Sequence, residues 1–129
     1  MIFVDTNYFL RFLLADIIDQ HKKAKALFLS AAEGKKKIFT STIVIFELYW
    51  VLTSFYEKNK KNVAQVLKQI LNMHFVSIEE RDILNMAVDV YQKSALDLED
   101  AYNMVYAKTH EAKMFETFDR KLQKIFVKS

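Results

Sequence analysis

Any chemistry performed by this chain must be done with oxygen. The 129-residue sequence contains Cys 0, Gly 1 and Pro 0. Without cysteine there is no thiol nucleophile, no disulfide framework and no thiolate zinc site. With Gly34 the sole glycine, the phosphate-cradling loops of Walker and dinucleotide-binding proteins are excluded, because they need several glycines for close backbone approach. A serine nucleophile elbow fails for the same reason. His21, His74 and His110 are far apart in sequence and form no HExxH-like spacing, so each reads as a surface or helix-end residue. Carboxylates, hydroxyls and carboxamides remain, and an all-oxygen donor set suits a hard cation such as Mg²⁺ or Mn²⁺.

Five acids stand where such a set would be built. Asp5 ends the apolar run Met1–Val4, Asp119 ends Lys113–Phe118, and Asp97 and Asp100 bracket the start of a helical pattern. Glu47 has Ile43 and Val44 on one side at helical spacing and Trp50 and Val51 on the other, so its carboxylate emerges from an apolar surface. A carboxylate buried there is costly unless a cation or a donor meets it. Each acid also has a plainer reading. Asp5, Asp97 and Asp119 can cap helices, Asp100 can favour a helix dipole, and Glu47 can bond a buried amide or lysine. These plain readings must all hold at once, whereas one cation accounts for the acids together. Carboxylates at close quarters raise one another's pKa unless a cation neutralises them. The reaction such a site supports best is phosphodiester hydrolysis, in which the ion activates and orients a water and stabilises the leaving oxygen.

The elements that must position these acids follow from hydrophobic spacing. Met1–Val4 reads as a strand buried on both faces, Ile38–Thr40 as a second, Phe75–Ile78 as a short extended piece and Lys113–Phe118 as a last strand. Helices are predicted from Thr6 through Leu14, from about Asp19 to Ala32, from the N-cap Ser41 to about Lys58, from Asn62 through Met73, from Glu80 to Lys93, from Leu98 behind the N-cap Asp97 to about Ala112, and from Arg120 to Val127. Short strands separated by helices make a single three-layer α/β domain over residues 1–129 with a parallel sheet. In such sheets functional residues gather beyond the carboxyl ends of the strands, which is where Asp5 and Asp119 fall and where Asp100 is directed.

Hydrophobic residues at 52% and charged residues at 27% describe a globular chain rather than a disordered one. The formal net charge of +3 tolerates a polyanion. The runs Lys35–Lys37 and Lys58, Lys60, Lys61 read first as solvated loop charge and second as phosphate contacts. Ile38–Tyr56 is long enough to raise a membrane span, but Thr40, Ser41, Thr42 and Glu47 argue against it, since an ionisable group at mid-span costs several kcal/mol. The helix holding Glu47 is apolar nearly all round, which suggests a second copy of the chain on its outer face. The absence of cysteine fits a reducing compartment.

These residues resemble the PIN-domain ribonucleases, and among them the VapC-type toxins of prokaryotic toxin–antitoxin pairs. The resemblance is carried by Phe3-Val4-Asp5-Thr6-Asn7 with Leu10-Arg11-Phe12-Leu13-Leu14, by Thr40-Ser41 followed by Glu47-Leu48, by Leu98-Glu99-Asp100-Ala101, and by Thr117-Phe118-Asp119-Arg120. Their order and spacing are more specific than any one string. The resemblance implies a PIN fold with strand order 3-2-1-4-5, the last edge strand short or absent because the chain stops soon after Asp119. It implies a divalent ion held by Asp5, Glu47, Asp100 and Asp119, with Asn7 and Thr117 supporting those ligands through hydrogen bonds. Asp97 is either an N-cap or a further ligand, and Arg11 either faces substrate phosphate or is solvated. The implied activity is endonucleolytic cleavage of single-stranded or looped RNA leaving a 5′-phosphate, in the cytoplasm, by a homodimer silenced by a small antitoxin. A haloacid-dehalogenase phosphatase needs a second acid where Asn7 stands, and a receiver domain needs an acid pair and lysine in another order. A catalytically inactive PIN-like module that binds RNA or protein is the alternative, since acids survive as caps.

Overall fold

The computed structural model describes residues 1–129, which form an α/β chain of two compact units, Met1–Arg81 and Asp82–Ser129. The first unit holds a small open parallel sheet of β1 (Ile2–Phe3), β2 (Ile38–Thr40) and β3 (Val76–Ile78). Ile2 pairs with Ile38 and Phe3 with Phe39, while Ile38, Phe39 and Thr40 pair with Val76, Ser77 and Ile78. With β2 in the centre, this is the 3-2-1 part of the expected order. Alternation along β2 and β3 turns Ile38, Thr40, Val76 and Ile78 inward. The one polar member of that set is satisfied, because the Thr40 hydroxyl donates to the Val4 carbonyl at 2.8 Å.

Helices α1 (Thr6–Leu14) and α2 (Ile18–Ala32) connect β1 to β2 and pack through aromatic side chains. Phe28 of α2 lies 5.4 Å from Phe9 and 4.9 Å from Phe12, ring centre to ring centre. Burying side chains of this size stabilises by about 1.5–3 kcal/mol each, so this cluster holds the hairpin. Helix α3 (Thr42–Ser54) starts where Ser41 accepts from the Val44 amide, as its hydroxyl predicts. It ends at Ser54, short of the expected Lys58, and Asn59 caps the next helix, α4 (Lys60–Leu71). Arg81 ties α4 to β3 by donating to the carbonyls of Leu71 and Val76.

The second unit carries most of α5 (Arg81–Lys93) together with α6 (Leu98–Thr109) and α7 (Arg120–Lys128). Its core is Leu96, Met104, Leu122 and Phe126, with Phe115 packed 5.2 Å from Phe126. Two expectations are corrected. Lys113–Phe118 is not a strand: it joins no ladder, Phe115 spends itself on this core, and Phe118 is fully exposed. Nor is the first strand buried on both faces, since Ile2 and Phe3 are 40% and 49% exposed and only Val4 is enclosed. An apolar run shows that a segment can be extended, but pairing and cover depend on residues distant in sequence. No helix is long and apolar enough to cross a membrane.

Candidate active site

The candidate acids of the first unit, Asp5 and Glu47, are both exposed. Asp5 follows β1 in extended conformation and caps α1, its Oδ1 accepting from the Thr6 amide at 2.7 Å. Its other oxygen makes no hydrogen bond. Directly after it, the Thr6 hydroxyl is buried with no hydrogen-bond partner, an arrangement that costs about 1–3 kcal/mol. Thr6 is the residue that sequence reasoning passed over. The available signal was a hydroxyl three and four positions before Phe9 and Leu10, hence on the core face of α1.

Glu47 lies on the outer face of α3 between Ile43 and Trp50, which are 70% and 63% exposed. The expected apolar surround is present, but the carboxylate is exposed and bonded to neither an amide nor a lysine, so no burial cost bears on it. Asn7 is exposed in the first turn of α1. Arg11 is not simply solvated: its Nη1 reaches both oxygens of Asp16 at 2.9 and 3.0 Å, and the Tyr56 hydroxyl stands 3.5 Å from the same carboxylate. The hydrogen bond from Arg11 is the chief reason the Asp16 pKa is lowered, and the Asp16 carboxylate raises that of Arg11.

In the second unit the charges of Asp97 and Asp119 bear on Asp100. Asp97 caps α6 by accepting from the Asp100 amide at 2.8 Å. Asp119 caps α7, with Oδ1 taking the amides of Lys121 and Leu122 at 2.9 and 3.1 Å. Thr117 sets that cap from behind, its hydroxyl accepting from the Asp119 amide at 3.1 Å. Partial burial raises the Asp100 pKa first, and repulsion from Asp97 and Asp119 raises it further. Glu99 is raised in the same way by burial and then by Asp97 and Asp100, which adds it to the patch.

The caps do not compete with a cation. Asp5, Asp97 and Asp119 each bond the backbone through Oδ1 alone, which fixes the carboxylate and leaves the second oxygen available. Within neither unit do three carboxylates or imidazoles form a ready ligand set. The donor chemistry nevertheless fits a hard divalent ion: oxygens only, repulsion that positive charge would relieve, and an unpartnered hydroxyl beside Asp5.

A family model of the PIN domain matches residues 2–127. The chain belongs to the PIN-domain family. The PIN match runs from β1 into α7 and so includes every acid described above. Among curated proteins, the chain is similar to the VapC ribonuclease of Aquifex aeolicus (strain VF5), 25% identical over 126 residues that cover 98% of this chain and 93% of the relative. No solved structure matches it.

Proposed function

We propose that this PIN domain is a divalent-metal-dependent endoribonuclease of the VapC type, the toxin of a toxin–antitoxin pair, acting on single-stranded or looped RNA in the cytoplasm. The observation that carries the reading is that backbone amides fix Asp5, Asp97 and Asp119 through one oxygen each and leave the other oxygen open, with Asp97 and Asp119 also near the partly buried Asp100. Family membership and the likeness to a VapC ribonuclease support the same conclusion.

Asp5, Glu47, Asp100 and Asp119 would hold Mg²⁺ or Mn²⁺, with Asp97 as a further ligand through its second oxygen. A divalent ion so held supplies Lewis-acid polarisation of a phosphodiester and a lower pKa for an attacking water. The backbone bonds to Asp5 and Asp119 keep those carboxylates aimed, and Thr117 keeps the Asp119 turn closed. Asn7 and the Thr6 hydroxyl offer hydrogen bonds beside Asp5. The exposed Ile43 and Trp50 on α3 suit a homodimer, and a small antitoxin is the expected silencing partner.

The test is cleavage of a fluorogenic single-stranded RNA with Mg²⁺ or Mn²⁺, with chelator, and with Asp5→Asn. Cleavage that chelator and Asp5→Asn both abolish supports the mechanism, whereas full activity of Asp5→Asn sinks it. The second reading, an inactive binding module, is favoured by one observation: three of the acids already serve as helix caps. It gains if the folded protein cuts no RNA with either metal. Light scattering at micromolar concentration tests the dimer, and a monomer counts against it.

A further inference from the structure

A cavity of about 280 Å³ opens in the first unit, lined by Asn7, Tyr8 and Arg11 of α1 and by Gln20 and Lys23 of α2. Arg11 follows Asn7 by four positions and Lys23 follows Gln20 by three, so on each helix these residues share one face. The lining presents two cations, two carboxamides and a phenol ring, and no carboxylate. Arg11 is held in place by Asp16, which engages its Nη1, and by the Tyr56 side chain, and of its five guanidinium donors some stay open to another acceptor. Lys23 is exposed and makes no ion pair. Tyr8 is half-buried and gives the cavity a wall with a flat apolar surface.

Fixed guanidinium, mobile ammonium, carboxamides and an aromatic wall are the recurring parts of single-stranded nucleic-acid sites. The cations take a phosphate, the amides read polar edges, and the ring lies against a base. The cavity also begins two residues beyond Asp5 in the chain. We propose that this α1–α2 cleft is a nucleotide subsite for the RNA strand, in which Arg11 and Lys23 hold a phosphate and Asn7 and Gln20 hydrogen-bond the sugar or base beside Tyr8. The inference rests on the ribonuclease reading for its ligand and assigns the strand a place on the protein.

The experiment is fluorescence anisotropy of a labelled single-stranded oligoribonucleotide in chelator, where the strand is not cut, repeated across a salt series. Wild type is compared with Lys23→Ala, Gln20→Ala and Lys22→Ala, the last removing an exposed lysine outside the lining. Lys23→Ala is expected to weaken binding about three- to tenfold and to reduce the slope of log K against log salt by about 0.7, one phosphate contact on a single strand. Gln20→Ala is expected to weaken binding without changing the slope. Lys23→Ala and Lys22→Ala behaving alike, or Gln20→Ala binding as wild type does, would overturn the subsite. The two readings fail separately. RNA cut by wild type but bound equally by the two lysine variants removes the subsite alone, while RNA bound through Lys23 but never cut with Mg²⁺ or Mn²⁺ removes the ribonuclease reading alone.

Discussion

The candidate acids of the two units stand in different surroundings. In the second unit Asp97, Asp100 and Asp119 come from a helix start, its first turn and the next helix start, and they are close enough to raise the Asp100 pKa. In the first unit Asp5 stands alone at the end of β1 beside a buried, unpartnered Thr6 hydroxyl, and Glu47 projects between exposed Ile43 and Trp50. One unit carries repulsion and the other an unsatisfied polar group and uncovered apolar surface. Buried polar groups without a partner are rare, and a bound cation at one place and a partner at the other are what the proposed function would supply.

The largest effect expected from breaking this contrast is on activity. Loss of residues that merely support a metal ligand costs about 10–100-fold, so removing a ligand should cost at least about 100-fold in RNA cleavage. Asp100→Asn in the crowded patch and Asp5→Asn beside Thr6 should therefore both fall by that much in single-turnover assays. A loss from one and not the other would confine the ion to one unit's acids.

Stability comes next. Phe126→Ala should destabilise by about 3–5 kcal/mol in denaturant titration, because Phe126 is buried in the core on which α6 and α7 rest their acids. Thr6→Val keeps the branched shape and removes the orphan hydroxyl, so it should stabilise by about 1 kcal/mol while slowing cleavage. A stabilised variant with full activity would show that the hydroxyl has no functional partner.

The smallest effect is electrostatic. A folded-state pKa raised above the ordinary value of 3.8 means that Asp100 favours folding below that value and loses this contribution as pH climbs through the raised pKa. Without metal, Asp100→Asn should consequently be more stable than wild type near neutral pH, by up to about 1 kcal/mol for a solvent-screened group, and the gain should vanish as pH falls below the ordinary carboxylate range. Thermal melts across pH in chelator read this directly.

Much of this was legible before any coordinates. Ser41 and Asp97 were readable as caps, and the fold class followed from strands alternating with helices, because capping and periodicity are local properties. The non-local features were not legible. Lys113–Phe118 has the composition of a strand, yet its Phe115 goes to a helical core instead of a sheet. The burial expected for Ile2 and Phe3, and the choice between an amide or lysine and a cation for Glu47, depended on what lies opposite them. The resemblance supplied the acids as candidates, whereas the buried hydroxyl beside Asp5 and the raised pKa of Glu99 are visible only in the structure.

The most direct measurement is the Mn²⁺ dependence of thermal stability near neutral pH, for wild type and for Asp100→Asn. An ion bound by the folded chain stabilises it in proportion to the logarithm of its concentration above Kd. Wild type should gain melting temperature steadily with Mn²⁺ and Asp100→Asn should gain little. No gain in wild type, or an equal gain in both, would contradict a divalent ion held by these acids.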